Sequence, residues 1–342
     1  MRIKFWGVRG SIPTPGFPGD IKRRIKEALI ESFKLDPHPD RLDEFIERLP
    51  TSVTSMVGGN TPCLEVTHEN HRLIIDAGTG ITGLGIEINL HHLTKELSKP
   101  RPSPDGVSPP LRPIDSDLKP QIINLLLTHT HWDHIQGFPF FRPAYQPENI
   151  INIYGDDAAL IEEALTVQQS SPRLFPVGLK NTGADIRFHT LTGDEMQIGP
   201  FRISILPLPH PGGSLAFKIH AGNGTMVFAT DYEFRDGAPD ANQNRGLLTK
   251  FLEKADVFIS DTQYTYLENL TKEGWGHSNP IKVAEMALYS GVKKLFLFHH
   301  DPYYSDTKLF DMLDMTCAYI ELLHPLNNLD IKLAIEGQVV DL

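Results

Sequence analysis

One short stretch of the chain joins a predicted buried strand to a dense cluster of metal-binding side chains. The apolar run Ile122–Leu127 predicts the strand, and His129, His131, Asp133 and His134 follow it within a few residues. Imidazole and carboxylate groups suit Zn²⁺, Fe or Mn²⁺ and are costly to bury unpaired. His129 and His131 alternate along an extended backbone, so their rings point the same way, whereas Asp133 and His134 face another direction. The stretch therefore predicts a loop that can serve two adjacent metals.

Further metal-binding side chains follow other predicted strands. Four residues cannot complete two coordination shells, so the remaining ligands must come from elsewhere in the chain. The candidates come directly after apolar strands, and they are His210, Asp231, His299 and His300. We expect loops along one edge of the fold to bring them beside the first cluster. Asp76 also ends an apolar strand, and it either orients a metal-binding histidine or forms a local turn.

The His-x-His-x-Asp-His spacing after a strand resembles that of the metallo-β-lactamase superfamily, and the resemblance extends along most of the chain. It implies a first metal held by His129, His131 and His210, a second held by Asp133, His134 and His299, and a bridge through Asp231. His299 is preferred to His300 because it follows its strand at once. The implied cofactors are two divalent metal ions, with Zn²⁺ ahead of Mn²⁺ or Fe. His131 stands where oxygen-reducing diiron members carry a glutamate, which favours hydrolysis.

A second motif, Gly-His277-Ser278-Asn279-Pro, comes directly before a predicted helix. Ser278 or Asn279 can cap that helix, and a helix N-terminus favours bound anions. Asp261 ends an upstream strand and can orient the His277 ring. This arrangement is similar to the phosphodiesterase branch of the superfamily, which includes tRNase Z, phosphoribosyl cyclic phosphodiesterases and related cyclic-nucleotide phosphodiesterases. The similarity implies catalytic roles for Asp133, His277 and Asp261.

The resemblance and the overall charge together give an expected function. We expect a dinuclear metal-dependent hydrolase that cleaves a phosphodiester bond in a small cyclic phosphate or cyclic nucleotide, with substrate contacts from Arg9, Ser278 and Asn279. The alternatives are a tRNase Z-like ribonuclease and a thioester or lactone hydrolase of the glyoxalase II type, which have the same metal site. The net charge of -11 disfavours a long nucleic acid as substrate.

The order of predicted elements indicates the fold class. Strands cluster in each half of the chain with helices between them, which favours an αββα sandwich, the metallo-β-lactamase fold, formed by two mixed β-sheets with outer helices. We expect residues 1–342 to form one domain with two interruptions. A helical hairpin at 20–50 is expected to pack its apolar face on the core, and a lid or a homodimer contact is the alternative. Residues 98–120 carry many prolines and predict an exposed loop.

The sequence also gives an expectation about the compartment. Cys63 and Cys317 lack the spacing of a disulfide framework, which fits a reducing environment. The N-terminus leads directly into a predicted strand and has no apolar targeting segment, and no run of apolar residues is long enough to cross a membrane. We therefore expect a cytoplasmic protein that acts on a small phosphodiester and makes no membrane contact.

Overall fold

Two seven-stranded β-sheets form the framework of the chain. The computed structural model describes residues 1–16, 18–35, 38–97, 120–170, 174–235 and 240–342. The strands, in chain order, are β1 Arg2–Gly7, β2 Cys63–His68, β3 His71–Ile75, β4 Ile122–Leu126, β5 Ile150–Gly155, β6 Asp185–Thr190, β7 Glu195–Ile198, β8 Phe201–Leu208, β9 Ser214–Ala221, β10 Gly224–Ala229, β11 Val257–Asp261, β12 Lys294–Phe298, β13 Asp330–Leu333 and β14 Val339–Asp341.

The helices lie between these strands in sequence. They are α1 Pro18–Leu35, α2 Leu42–Arg48, α3 Thr51–Thr54, α4 Gly80–Leu97, α5 Trp132–Ile135, α6 Ala158–Gln168, α7 Ala241–Leu252, α8 Tyr266–Thr271, α9 Pro280–Tyr289 and α10 Asp306–Leu323. Among the described residues, no helix combines the length and the apolar character that crossing a bilayer requires.

Each sheet contains an antiparallel part and a parallel part. The first sheet has the order β14-β1-β2-β3-β4-β5-β6 and is parallel from β3 to β6, while the second has the order β13-β12-β11-β10-β9-β8-β7 and is parallel from β10 to β13. Parallel neighbours end at the same edge of a sheet. The chain segments that leave β3, β4, β10, β11 and β12 therefore emerge on common edges. The two sheets are both mixed, which confirms the predicted sandwich of two mixed sheets.

The main core lies between the two sheets. Phe5 of β1 packs against Phe296 and Phe298 of β12, with ring centroids 5.2 and 6.3 Å apart. A second apolar cluster lies against the first sheet, where Leu84 of α4 and Leu165 of α6 are fully buried. Because β4 has buried side chains on both of its faces, it is held firmly at the point where the His129–His134 segment begins.

Helix α1 has its polar side toward the protein and its apolar side toward solvent. Arg24 forms an ion pair with the buried Asp306, while Ile21, Ile25 and Leu29 are 58%, 56% and 54% exposed. The prediction that this face packs on the core is therefore wrong. The amphipathic periodicity is present in the helix, but Asp306 at the start of α10 binds Arg24 on the polar face. The predicted proline-rich loop at 98–120 lies outside the described residues except for Pro120.

Candidate metal centre

Three residues of the site adopt an unusual backbone conformation directly after a strand. Asp76 follows β3, Asp231 follows β10 after one residue, and His299 follows β12, with φ angles of 61°, 55° and 59°. Residues other than glycine rarely occupy this left-handed region, and such strain clusters at functional sites. The turn that each residue makes aims its side chain across the edge of the sheets instead of along the strand.

Asp231 lies between two groups of histidines and presents one carboxylate oxygen to each. Its Oδ1 atom is 4.0 Å from Nε2 of His129 and 3.9 Å from Nε2 of His210. Its Oδ2 atom is 3.2 Å from Nε2 of His134 and 3.3 Å from Nε2 of His299. One carboxylate can therefore contribute a ligand atom to each of two adjacent positions.

His131 and Asp133 complete the two groups. Nδ1 of His131 is 3.0 Å from Nε2 of His210, and Oδ2 of Asp133 is 3.1 Å from Nε2 of His299. The structure thus brings together all the side chains that the resemblance implies as ligands. His300 points elsewhere, since its Nε2 atom donates a hydrogen bond to the carbonyl of Ala334 at 3.0 Å. Burial and the charge of Arg9 lower the pKa of His300 to about 3.

The donor atoms fit a pair of divalent ions. Nε2 of His129 and Nε2 of His134 are buried without a hydrogen-bond partner, which is costly unless another group satisfies them. Burial lowers the pKa of His129 well below its usual value, so that ring is neutral, as a ligand must be. Burial alone would raise the pKa of Asp231, but the surrounding imidazole groups of His299 and His134 lower that pKa well below its usual value, so the carboxylate is ionised.

The second ring nitrogen of each of three histidines is fixed by a specific acceptor. Nδ1 of His134 donates to Oδ2 of Asp76 at 2.8 Å, and Nδ1 of His299 donates to Oε1 of Gln263 at 2.9 Å. Nδ1 of His210 donates to the carbonyl of Gly276 at 2.9 Å. These bonds direct the Nε2 atoms toward the shared space. The sequence indicates Asp76 through its position after a strand, whereas it carries no comparable signal for Gln263 or Gly276.

Position 276 requires glycine, because a residue with a side chain would collide with its neighbours. Its φ angle is 84°, and a Cβ atom built on it would be 2.2 Å from Nδ1 of His210 and 2.5 Å from Cδ of Pro211. The missing side chain therefore lets the backbone approach the imidazole closely enough to accept its hydrogen bond.

His277 and Asp261 form a hydrogen-bonded pair beside these groups. Nδ1 of His277 is 2.8 Å from Oδ2 of Asp261, and its ring stacks on His299 with centroids 5.2 Å apart. Burial would lower the pKa of His277, but the charge and hydrogen bond of Asp261, with smaller contributions from Asp231 and Asp133, raise it to about 9. Since Nδ1 is engaged by Asp261, the Nε2 atom is left to interact with a bound molecule.

The expected substrate contact from Arg9 is contradicted by the structure. Its guanidinium group is 3% exposed, donates to the carbonyls of Gly58, Asp301 and Tyr304 at 2.8 to 3.0 Å, and pairs with Asp306. An arginine with its donors bound inside the fold has no free edge for a phosphate. The sequence around Arg9 gives no sign of these partners, because they come from segments far away in the chain.

The side chains of Ser278 and Asn279 are likewise engaged by hydrogen bonds inside the protein, which contradicts the substrate contacts expected of them. Oγ of Ser278 donates to the carbonyl of Tyr232 at 2.7 Å. Oδ1 of Asn279 caps α9 by accepting from the amide of Lys282 at 3.1 Å, and its Nδ2 donates to Asn269 at 2.9 Å. The predicted cap is confirmed in Asn279. Both side chains hold the loop that carries His277, which is a supporting role and not a contact with substrate.

The fold and the clustered histidine and aspartate side chains define the class as hydrolases of the metallo-β-lactamase fold. The sequence profile of the β-lactamase superfamily domain matches residues 71–300, and the chain belongs to that family. The family predicted from the sequence is thereby confirmed.

The relatives of this chain include ribonucleases and a probable metallo-hydrolase. Ribonuclease Z from Exiguobacterium sibiricum is 25% identical over 231 residues, which are 56% of this chain and 76% of the relative. The crystal structure of YhfI from Bacillus subtilis, a metallo-β-lactamase fold protein, aligns over 99% of this chain and 98% of its own, with a TM-score of 0.59 and 17% identity. Unliganded yeast PDE1 covers 100% of this chain and 99% of its own, with a TM-score of 0.58 and 14% identity. These neighbours share the fold of this chain.

Proposed function

We propose that this chain is a dinuclear metal-dependent phosphodiesterase that cleaves a small cyclic phosphate or cyclic nucleotide. One observation carries the proposal. The His277–Asp261 pair lies directly against the cluster, with Nδ1 of His277 3.7 Å from Oδ1 of the central Asp231. Hydrolysis of a thioester releases a thiolate, which leaves without a proton donor, whereas the alkoxide that leaves from a phosphodiester needs one, and the His277–Asp261 pair can supply it.

The two groups of side chains would each hold one divalent ion. His129, His131 and His210 would bind the first, Asp133, His134 and His299 the second, and Asp231 both. When bound, Zn²⁺, or Mn²⁺ or Fe in its place, would offset the negative charge of phosphoryl oxygens and lower the pKa of water to about 7. Asp231 is suited to this arrangement because its two oxygens face opposite groups.

The residues of the chain perform the proton transfers. The carboxylate of Asp261 stabilises the protonated ring of His277 and fixes its orientation. Nε2 of that ring gives its proton to the leaving oxygen as the bond to phosphorus breaks. Asp133 accepts the proton of the attacking water, and the amide of Ser11 donates a hydrogen bond to Oδ2 of Asp133 at 2.7 Å.

Two cavities of limited volume adjoin the cluster, which supports a small substrate. One of about 120 Å³ is lined in part by His277 and Arg235, and another of about 280 Å³ is lined in part by His210 and Arg235. The net charge of -11 disfavours a long polyanion over most of the surface. Cleavage of RNA is the second candidate, and the similarity to ribonuclease Z supports it. We place the activity in the cytoplasm, since Cys63 and Cys317 are both free thiols.

A substrate panel tests the proposal. The metal-loaded protein is assayed on cyclic nucleotides, bis-p-nitrophenyl phosphate, a precursor tRNA, S-lactoylglutathione and a lactone. We expect turnover of the cyclic nucleotides and of the nitrophenyl diester, both abolished by chelation. Cleavage of the precursor tRNA in preference to the cyclic nucleotides would establish the second candidate. Turnover of only the thioester or the lactone would refute phosphodiester chemistry altogether.

A further inference from the structure

We propose that two copies of this chain associate through α1 and α2, so that α1 of each copy packs antiparallel on α2 of the other. The inference concerns a surface outside the candidate metal centre and does not depend on the proposed reaction. It begins from helix α1, whose outward side is apolar.

The contacts of the polar side fix how α1 is oriented. Arg24 forms an ion pair with the buried Asp306, Arg23 donates to the carbonyl of Ser52 at 3.4 Å, and Asp20 is 8% exposed. Glu27 and Glu31 lie on this same side and are half-buried. A surface helix normally buries its apolar side and exposes its polar side. In α1 the opposite holds, and specific charged partners impose it.

The outward side of α1 carries a continuous apolar stripe. Ile21, Ile25, Leu29 and Phe33 follow one another at intervals of four residues, and Phe33 is 87% exposed. Side chains at this spacing form one ridge along a helix, which packs into the groove of another helix. Isolated exposed apolar residues are ordinary, whereas a ridge three turns long marks an interaction surface.

Helix α2 carries a matching stripe of its own. Leu42 and Ile46 are 50% and 51% exposed and lie four residues apart. In α1 each of the first two stripe residues is followed by an exposed lysine, Lys22 and Lys26. In α2 each stripe residue is followed by an exposed acid, Asp43 and Glu47. The two helices thus carry opposite charges along the same side of their stripes.

This common side decides how the two helices pair. Charged rows on the same side of two stripes face each other when the helices pack antiparallel. Packing α1 on α2 of a second copy then buries both stripes and places lysines opposite acids. A two-fold axis makes the same contact twice, as a closed dimer requires. The charges select a second copy over an anionic lipid surface, because Asp43 and Glu47 would repel that surface.

Mass measurements on the full chain test the interface. We expect light scattering at micromolar concentration to give twice the chain mass of 38.3 kDa for the wild type. Leu29→Asp should give the single-chain mass and raise the dissociation constant at least about 30-fold, the size of effect typical for a central interface side chain. The matched control is Leu322→Asp on α10, where the side chain is 83% exposed, and it should keep the dimer mass. Melting temperatures verify that each variant is folded.

A charge exchange identifies the partner helix. Antiparallel packing places Lys26 opposite Asp43 and Lys22 opposite Glu47. Lys26→Glu and Asp43→Lys should therefore each raise the dissociation constant several-fold, and the double variant should return it toward the wild-type value. A wild type of single-chain mass, equal behaviour of Leu29→Asp and Leu322→Asp, or a double variant weaker than both singles would overturn the proposal. Binding of a monomeric wild type to phosphatidylserine vesicles would overturn it in favour of a lipid surface.

Discussion

Removing the imidazole of His277 should slow the reaction in a way that depends on the leaving group. Its Nδ1 atom is held by Asp261 at 2.8 Å and its ring stacks on His299, so its Nε2 atom is positioned as the proton donor. A positioned general acid contributes about 10²- to 10⁴-fold. Because both orienting contacts are present, we expect His277→Ala to lower kcat on a cyclic nucleotide by about 10³-fold. On bis-p-nitrophenyl phosphate the loss should be under about tenfold, since p-nitrophenolate departs without a proton.

The assay compares kcat and KM on both substrates, with the metal content of each variant measured by elemental analysis. Asp261→Asn serves as the companion variant, because it keeps the size of the orienting group and removes its charge. We expect it to lower kcat on the cyclic nucleotide less than His277→Ala does, with KM unchanged. Equal losses on the two substrates, or loss of metal from His277→Ala, would refute a role for this ring in protonating the leaving group.

Three further predictions concern residues around the cluster. His299→Ala should lower the metal content from two divalent ions per chain to one, whereas His300→Ala should retain both ions. The reason is that His299 faces Asp133 and His300 does not. Elemental analysis of both variants tests this prediction. Asp76→Ala should weaken binding of the ion held by His134 by about 10- to 100-fold in a chelator competition, since that ring loses its orienting acceptor; an unchanged affinity would contradict the role of Asp76. Arg9→Gln should lower the free energy of unfolding by about 3 kcal/mol in a urea titration, because it leaves Asp306 buried with Arg24 as its remaining charged partner; an unfolding curve like that of the wild type would show that the buried pair is dispensable.

The candidate site was largely predictable from the sequence because its side chains follow strands whose apolar runs are unmistakable. His210, Asp231 and His299 each come after such a run, and parallel or co-directed strands bring their ends to one edge. The choice of His299 over His300 used the position of the strand end together with the ligand pattern of the superfamily that the chain resembles. The Gln263 and Gly276 contacts were not predictable, because an amide or a backbone carbonyl gains its role only when a distant loop is folded against it.

Elsewhere in the chain, the sequence carries too little information about which residues each helix or side chain contacts. Helix α4 was not predicted, since its sequence begins with glycines and its apolar residues do not form a clean stripe. The periodicity of α1 was recognised, but the side that faces the protein was assigned wrongly. Apolar periodicity predicts a helix and its stripe, whereas the partner of the stripe depends on charged residues such as Asp306, far along the chain. Arg9 was misassigned for the same reason.

Asp76, Asp231 and His299 have left-handed backbone conformations, which lower the stability of the chain but position side chains that its chemistry needs. A residue with a Cβ atom pays about 1 kcal/mol or more to occupy this region, so the three positions together cost about 3 kcal/mol. Glycine at any of them would relieve that cost and remove a side chain from the cluster. Selection for thermal stability alone would therefore drive these positions toward inactive sequences. Engineering of a more robust variant should leave these three residues unchanged and seek its gains elsewhere in the fold.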